Sequence, residues 1–493
     1  MRLVGCPRRV WRRTSRGAAL AGLVGAALAG AGCGGGDQAQ PAYRVPSLGL
    51  ADLRPCTSVP TPPKMLCGAM RVPLERSDPS LGKTRIGFAV RPRDQRHRPS
   101  KGAIVAVEGG PGYASSWTAR SYVNLFGSLL RRRELVTVDM RGTGRSGALD
   151  CPDLQRGRAP EWIAFSQCAR KLGPRFDAYR TSAAADDIND VRRALGLGRI
   201  TLYGDSYGTF LSQSYAFRHP GTLNALVLDS AYPARGESPW YPTLISTGVK
   251  AISIACRRSA SCSGDAGKRL RKLAHWLRKR ARGVGPVVDS IAEAGTFVPG
   301  SYLRIDRAGT ALRHGDAGPY KSLIAEAKAG QHHLHHFSKS DEDVVSCNDY
   351  PLLWSKDASE KRRRTELEHA VRTYRSDLLK PFTSREVGLS SDTLYQYCLT
   401  APRPSSLYEP PISSGEHPTK APVLVVSGEL DDITSPWEGK LVAREFPDSR
   451  QYVARGDGHV ADLYDGTIPP AVRTRAFLRQ VLGGGDQGSH RGG

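Results

Sequence analysis

Ile200-Thr201-Leu202-Tyr203-Gly204-Asp205-Ser206-Tyr207-Gly208, running on into Thr209 to His219, is the stretch whose reading decides the fold. A short apolar run reads as a strand, G-x-S-x-G follows it, and a helix-like segment comes next. That order describes a serine held in a sharp strand-to-helix turn. Such a turn strains the serine backbone, and small residues two positions to either side let the chain bend that tightly. The hydroxyl is pushed out of the sheet, and the helix N-terminus behind it favours developing negative charge. G-x-S-x-G alone is common, so its weight comes from its surroundings.

Those surroundings alternate between strands and helices. Ala103 to Val107 (AIVAV), Leu135 to Val138 (LVTV) and Ala225 to Asp229 (ALVLD) are short and continuously apolar, as expected of parallel strands buried on both faces. Arg85 to Arg91, Pro422 to Ser427 and Arg450 to Val453 read as further strands. Thr181 to Leu195 has Ser182 and acids near its start and arginines near its end, a polarity that suits a helix dipole, and Gly196 and Gly198 close it. Pro470 to Leu482 reads as the closing helix. Between about 235 and 415 the alternation stops. Val249 to Cys256 and Lys268 to Arg280 read there as helices, the second with Leu270, Leu273 and Leu277 on one face. The expected organisation is an export signal at 1–32, a tether at 33–45, a core split between 46–234 and 416–484, a helical cap at 235–415 and a tail at 485–493.

A serine nucleophile needs a base and an acid that orients it. After the PVLVVS strand comes Gly428-Glu429-Leu430-Asp431-Asp432-Ile433-Thr434-Ser435-Pro436. An orienting carboxylate belongs in that loop, and the register behind Ser427-Gly428 favours Asp431 over Asp432. After the last strand comes Gly456-Asp457-Gly458-His459, whose histidine fits the base. The chain order Ser206, Asp431, His459 is that of the α/β-hydrolase triad. The oxyanion also needs donors. Glu108-Gly109-Gly110-Pro111-Gly112 directly follows the AIVAV strand, and Pro111 has no N–H to offer. One donor is assigned to Gly110 and the other to the backbone N–H of Tyr207, the residue after the nucleophile.

Taken together, EGGPG at 108–112, DMRGTGRS at 139–146, GDSYG at 204–208, GELDDITSP at 428–436 and GDGH at 456–459 resemble the proline iminopeptidase and tripeptidyl aminopeptidase group of α/β-hydrolases, above all its exported actinobacterial members. The likeness runs through essentially the whole chain beyond the leader. It implies an α/β fold with a mostly parallel central sheet flanked by helices, an inserted and mainly helical cap, and an exopeptidase acting on peptides with a free N-terminus. It implies no cofactor. Two departures stand out. Many members of the group carry His where this chain has Glu108, and their acids that grip the substrate α-ammonium lie partly in a cap that does not align by eye. Glu108 either binds that ammonium or braces the glycine loop. The same triad also suits a carboxylesterase or lipase, and a non-catalytic surface-binding lipoprotein is a reading from a different class.

The chain has 493 residues and a formal charge of +24, six of those charges being arginines in the first 32 residues, which contain no acid. No basic stripe interleaved with aromatics and no zinc-finger spacing accompanies that charge, so a solvated basic surface is expected rather than nucleic-acid binding. The arginine-rich start and the apolar run Ala18 to Ala31 read as an export signal too short for a membrane span. Ala31-Gly32-Cys33 followed by Gly34-Gly35-Gly36-Asp37 is similar to a lipobox, which makes Cys33 the candidate lipid attachment point; cleavage and free secretion is the alternative. Membrane association is expected only through that anchor, and the chain is expected to be monomeric. Eight further cysteines, which allow about 105 pairings, are expected to pair as sequence neighbours: Cys56 with Cys67, Cys151 with Cys168, Cys256 with Cys262 and Cys347 with Cys398. No C-x-x-C occurs, and His332-His333-Leu334-His335-His336 is read as a surface feature of the cap, so no metal is expected.

Overall fold

A computed structural model describes residues 52–57, 62–280, 283–294, 300–328, 334–388, 390, 395–464 and 466–483; the expected export signal, tether, Cys33 and tail fall outside them. The strands are β1 (Arg54–Pro55), β2 (Leu66–Pro73), β3 (Lys83–Arg91), β4 (Ala103–Val107), β5 (Glu134–Val138), β6 (Ile200–Asp205), β7 (Leu223–Asp229), β8 (Val423–Gly428) and β9 (Ser449–Ala454). They form one sheet in the order β1-β2-β3-β5-β4-β6-β7-β8-β9. From β5 to β9 every pairing is parallel, whereas β1, β2 and β3 join antiparallel at one edge.

Helices before β8 are α1 (Ala119–Phe126), α2 (Pro152–Gln155), α3 (Glu161–Leu172), α4 (Thr181–Ala194), α5 (Tyr207–Arg218), α6 (Pro242–Arg258), α7 (Ala266–Lys279), α8 (Gly285–Ala294), α9 (Ser301–Arg313), α10 (Gly318–Lys328), α11 (Lys339–Asp349), α12 (Glu360–Thr373) and α13 (Ser384–Gly388). After it come α14 (Pro436–Arg444), α15 (Ala461–Tyr464) and α16 (Pro469–Gly483). Between β7 and β8 the described residues contain helices and no named strand, which is the mainly helical cap.

Strand alternation explains the layering. Ile104, Ala106, Tyr203, Ala225, Val227, Leu424 and Val426 all face one side, where they form one apolar cluster with Tyr122, Leu125 and Phe126 of α1 and Ala471, Phe477 and Leu478 of α16. The intervening positions face the other side, toward α5 and α14: Gly204 lies against Gly208, and Ser427 and Val425 lie against Gly439. Both faces are therefore covered, which is why these strands read as unbroken apolar runs.

The DMRGTGRS segment turns out to be a structural brace. Asp139 is fully buried and accepts hydrogen bonds from the Ser116 N–H at 2.8 Å, the Ser116 hydroxyl at 2.9 Å and the Arg145 N–H at 2.9 Å. Arg141, equally hidden, grips Asp187 of α4 through two bonds of 2.8 Å and donates to the carbonyls of Leu74 and Ala178 at 2.7 Å each. Bidentate geometry of this kind is the strong form of an ion pair.

The four disulfides join Cys56 to Cys67, Cys151 to Cys168, Cys256 to Cys262 and Cys347 to Cys398. The last spans 51 residues of the cap, tying the end of α11 to the segment after α13. Chain-entropy arguments give a bridge of that span a contribution of about 4 kcal/mol. Replacing Cys347→Ala and Cys398→Ala together is expected to lower urea-unfolding stability by about that amount, and an unchanged midpoint would mean that the cap is held by its packing alone.

Candidate active site

The elbow is built from what its neighbours exclude. Ser206 sits at φ 52°, ψ −125°, in the left-handed half of backbone space. A Cβ on Gly204 would stand 2.2 Å from the Gly208 carbonyl oxygen, and one on Gly208 would stand 2.4 Å from the Val107 carbonyl oxygen. Only glycine fits at either place. The strained turn costs about 1–3 kcal/mol and is held by three bonds. The Ser206 N–H donates to the Asp229 carbonyl at 2.9 Å, and the Ser206 carbonyl accepts from the Thr209 N–H at 2.9 Å and the Thr209 hydroxyl at 2.6 Å. The β4 loop closes over the nucleophile: a Cβ on Gly109 would lie 2.6 Å from Ser206 Cβ and 3.1 Å from its Oγ.

Asp431 and His459 come together as the sequence suggests. His459 Nδ1 lies 3.1 Å from Asp431 Oδ1 and 3.0 Å from Oδ2. Asp431 is fully buried and also accepts from the N–H groups of Ile433 at 3.0 Å and Thr434 at 2.8 Å, and from the Thr434 hydroxyl at 2.8 Å. With Nδ1 donating to the carboxylate, Nε2 is the nitrogen left to accept a proton. Asp432 turns the other way, toward Tyr302 of α9 and Gly248 of α6. The loop carrying His459 rests on the end of β8, where a Cβ on Gly428 would stand 2.1 Å from the Gly458 carbonyl oxygen.

Adjacent residues at the end of β7 fix the nucleophile and the histidine loop to one another. Asp229 takes the Ser206 N–H through its carbonyl, and the Ser230 hydroxyl takes the Val460 N–H at 2.8 Å, one residue past His459. Gly110, the assigned oxyanion donor, has φ 110°, and Tyr207 opens α5. The Tyr207 ring is buried and its hydroxyl lies 2.8 Å from that of Thr181.

Glu108 is half-buried, with its polar atoms engaged by the protein. Its N–H donates to the Ser115 hydroxyl at 2.9 Å, and its Oε2 accepts from the Tyr122 hydroxyl at 3.0 Å. The same hydroxyl lies 2.8 Å from Asp205 Oδ1, and the two carboxyls share a hydrogen bond with each other. Next to this group stands a second one of the same design. The Tyr203 hydroxyl lies 3.1 Å from Asp229 Oδ2 and 3.1 Å from Asp462 Oδ1, and the Tyr122 and Tyr203 rings meet edge to face at 5.7 Å. Burial pushes the Asp205 and Asp229 carboxyls well above the usual carboxylate range, and the charges of Glu108 and Asp462 respectively push them further. Glu108 is raised by burial, against the pull of bonds from Thr118, Tyr122 and Asp205 and of the nearby His459. Two adjacent carboxyls that share a hydrogen bond out of water retain one proton between them. The sequence marks Glu108 as a candidate, whereas Asp229 and Asp462 carry no local signal because their partners are far away along the chain.

In the histidine run His335 is exposed, in keeping with a surface feature, and His336 is not. His336 is half-buried and packs on the Tyr113 ring at 5.2 Å and on the Trp117 ring at 5.1 Å, while its carbonyl accepts the Ala114 N–H at 2.9 Å. It thus lies over the loop that follows Gly112. His332 and His333 fall outside the described residues. Among the described residues no cluster of His, Cys, Asp and Glu is arranged to hold a metal ion.

Residues 102–247 match the family model described as alpha/beta hydrolase fold, and residues 386–480 match the one described as TAP-like protein. The first span holds Ser206 and the glycine loop, the second Asp431 and His459. The chain is similar to the tripeptidyl aminopeptidase of Streptomyces coelicolor, with 23% identity over 97% of this chain and 88% of that protein. It is also similar to the serine protease Hip1 of Mycobacterium tuberculosis, with 29% identity over 38% of this chain and 40% of that protein. Among solved structures, the proline iminopeptidase of Mycobacterium smegmatis superposes with a TM-score of 0.41 at 17% identity, covering 85% of this chain and 100% of that one.

The carboxyl pair has a consequence for stability. Asp205 keeps in the folded state a proton that the unfolded chain releases above pH about 4, so its contribution is full at acidic pH and is lost as pH rises. An amide at that position mimics the protonated acid. Asp205→Asn is therefore expected to gain stability relative to the parent between pH 5 and pH 8, read from denaturant unfolding at both values. A difference that does not change with pH would rule out the retained proton.

Proposed function

We propose that this chain is an α/β-hydrolase of the tripeptidyl aminopeptidase and proline iminopeptidase group, and that it is an exported serine aminopeptidase acting on peptides with a free N-terminus. The observation that carries the reading is the doubly held Asp431–His459 pair, tied through Asp229 and Ser230 to the strained Ser206 elbow.

Ser206 Oγ attacks the scissile carbonyl carbon while His459 Nε2 takes its proton. Asp431 keeps the imidazole in the required tautomer and stabilises its charged form. The N–H groups of Gly110 and Tyr207 donate to the oxyanion, a term worth about 3–4 kcal/mol per donor. The imidazolium then protonates the leaving amine, the C–N bond breaks, and an ester links the new acyl group to Ser206. Water, deprotonated by His459, attacks that ester and returns the serine. Glu108 serves as the brace of the glycine loop, since its carboxyl is already engaged by Tyr122 and Asp205. The cap, spanning roughly 235–415 on the sequence reading, limits access to chain ends. Export fits an arginine-led apolar leader and four disulfides, which persist in oxidising surroundings.

Unblocked tripeptidyl and aminoacyl arylamides should be hydrolysed, their N-acetylated counterparts should not, and Ser206→Ala should cost about 10⁴-fold or more in kcat. Turnover of short acyl esters with no turnover of any arylamide would replace the peptidase assignment with an esterase.

A further inference from the structure

The positive charge of this protein is not spread evenly. Residues 242–313 carry fourteen Lys and Arg against four Asp and Glu, within a chain whose total excess is 24. That segment is the part of the cap formed by α6 to α9. Three of its cations are held in ion pairs: Arg258 with Glu429 at 2.7 Å and Arg278 with Glu386 at 2.5 Å reach other parts of the protein, and Arg269 with Asp306 at 2.7 Å joins α7 to α9 within the segment.

The remaining cations are concentrated. The apolar face of α7 buries Leu270, Leu273 and Leu277, and α7 packs on α6 and α9. Its other face presents Lys268, Arg271, Lys272 and Lys279, spaced by three, four and seven residues, so that they fall in one stripe. Arg280 at the end of α7 and Arg313 at the end of α9 complete a groove of about 500 Å³, with His275 and Trp276 in its wall. No acid lines it. The ion pair at its edge, Arg271 with Asp265 at 3.7 Å, joins two side chains that are each more than half exposed and contributes little. Arg313 Nε is buried with no hydrogen-bond partner among the described residues. Holding six cations side by side is unfavourable unless something neutralises them.

We propose that this groove binds a linear polyanion carrying regularly spaced phosphate groups. Guanidinium forks and ammonium groups match phosphate oxygens. Among the groove's lining residues Trp276 alone is apolar, which gives a bilayer little to hold, whereas the six cations can meet several phosphates of one chain. The leucines that could enter lipid are already spent on α6 and α9. Binding there would hold an exported enzyme at a phosphate-rich polymer without involving the catalytic groups, so the inference does not depend on the peptidase assignment.

The test uses the whole protein with long-chain inorganic polyphosphate as the probe, and phosphatidylglycerol vesicles and single-stranded oligothymidylate as further arms. Lys268→Glu, Lys272→Glu and Lys279→Glu in one variant should weaken polyphosphate binding at least 30-fold at low salt. The slope of log K against log salt should fall by about two to three. The circular dichroism spectrum and the urea-unfolding midpoint should stay at the parent level and report an intact fold. A control variant of equal net charge, Arg96→Glu, Arg98→Glu and Lys420→Glu, should bind nearly as the parent does. Equal losses in the two variants would overturn the site, because the attraction would then be diffuse. Binding to vesicles alone would overturn the polymer, and binding to oligothymidylate but not polyphosphate would show that bases, rather than phosphates, are read.

Discussion

Side chains at 109, 204 and 208 would collide with the nucleophile or with backbone, and the geometry of the centre depends on that exclusion. Because Gly204 and Gly208 carry no Cβ, α5 can start directly against the ends of β6 and β4. Because Gly109 carries none, the loop after β4 can reach the serine hydroxyl. The resulting backbone strain at Ser206 is offset by the bond to Asp229, and Asp229 sits beside Ser230, which holds the histidine loop. One crowded junction at the ends of β4, β6, β7 and β8 thus sets the relative positions of base, acid, nucleophile and oxyanion loop.

The floor of that junction is unusual in charge. Two carboxyl pairs, each gathered round a tyrosine hydroxyl, lie under the elbow and beside the histidine loop. An apolar floor would be simpler and easier to bury. The carboxyls instead link β4, β6, β7 and α15 through short directional bonds, which fix geometry more sharply than apolar contact does. The cost is retained protons and a dependence on pH.

Much of this was legible along the chain, for identifiable reasons. The strands from β4 to β8 are covered on both faces, so each shows as an unbroken apolar run; the elbow and the acid follow two of their ends, and the histidine follows the more exposed β9. Leu66–Pro73 was not anticipated as a strand: it is antiparallel, near the sheet edge, and mixes Gly68, Met70 and the exposed Arg71 without clean alternation. DMRGTGRS looked like a family mark, yet its physical work, Arg141 gripping Asp187 and Asp139 capping two N–H groups, depends on residues 23 and 46 positions away that no local pattern reveals. The same holds for Asp462, which meets Tyr203 across 259 positions. Local periodicity reports burial well; it is silent about which buried polar groups find one another.

The central claim is that Ser206, His459 and Asp431 act as one unit at that junction. Phosphonylation of the intact protein by a fluorophosphonate, mapped by mass spectrometry, tests it most directly. A single adduct on Ser206, formed at least about 10³-fold more slowly in His459→Ala and markedly more slowly in Asp431→Asn, is the predicted result. An adduct on another serine, or labelling of Ser206 that is indifferent to His459, would contradict the account.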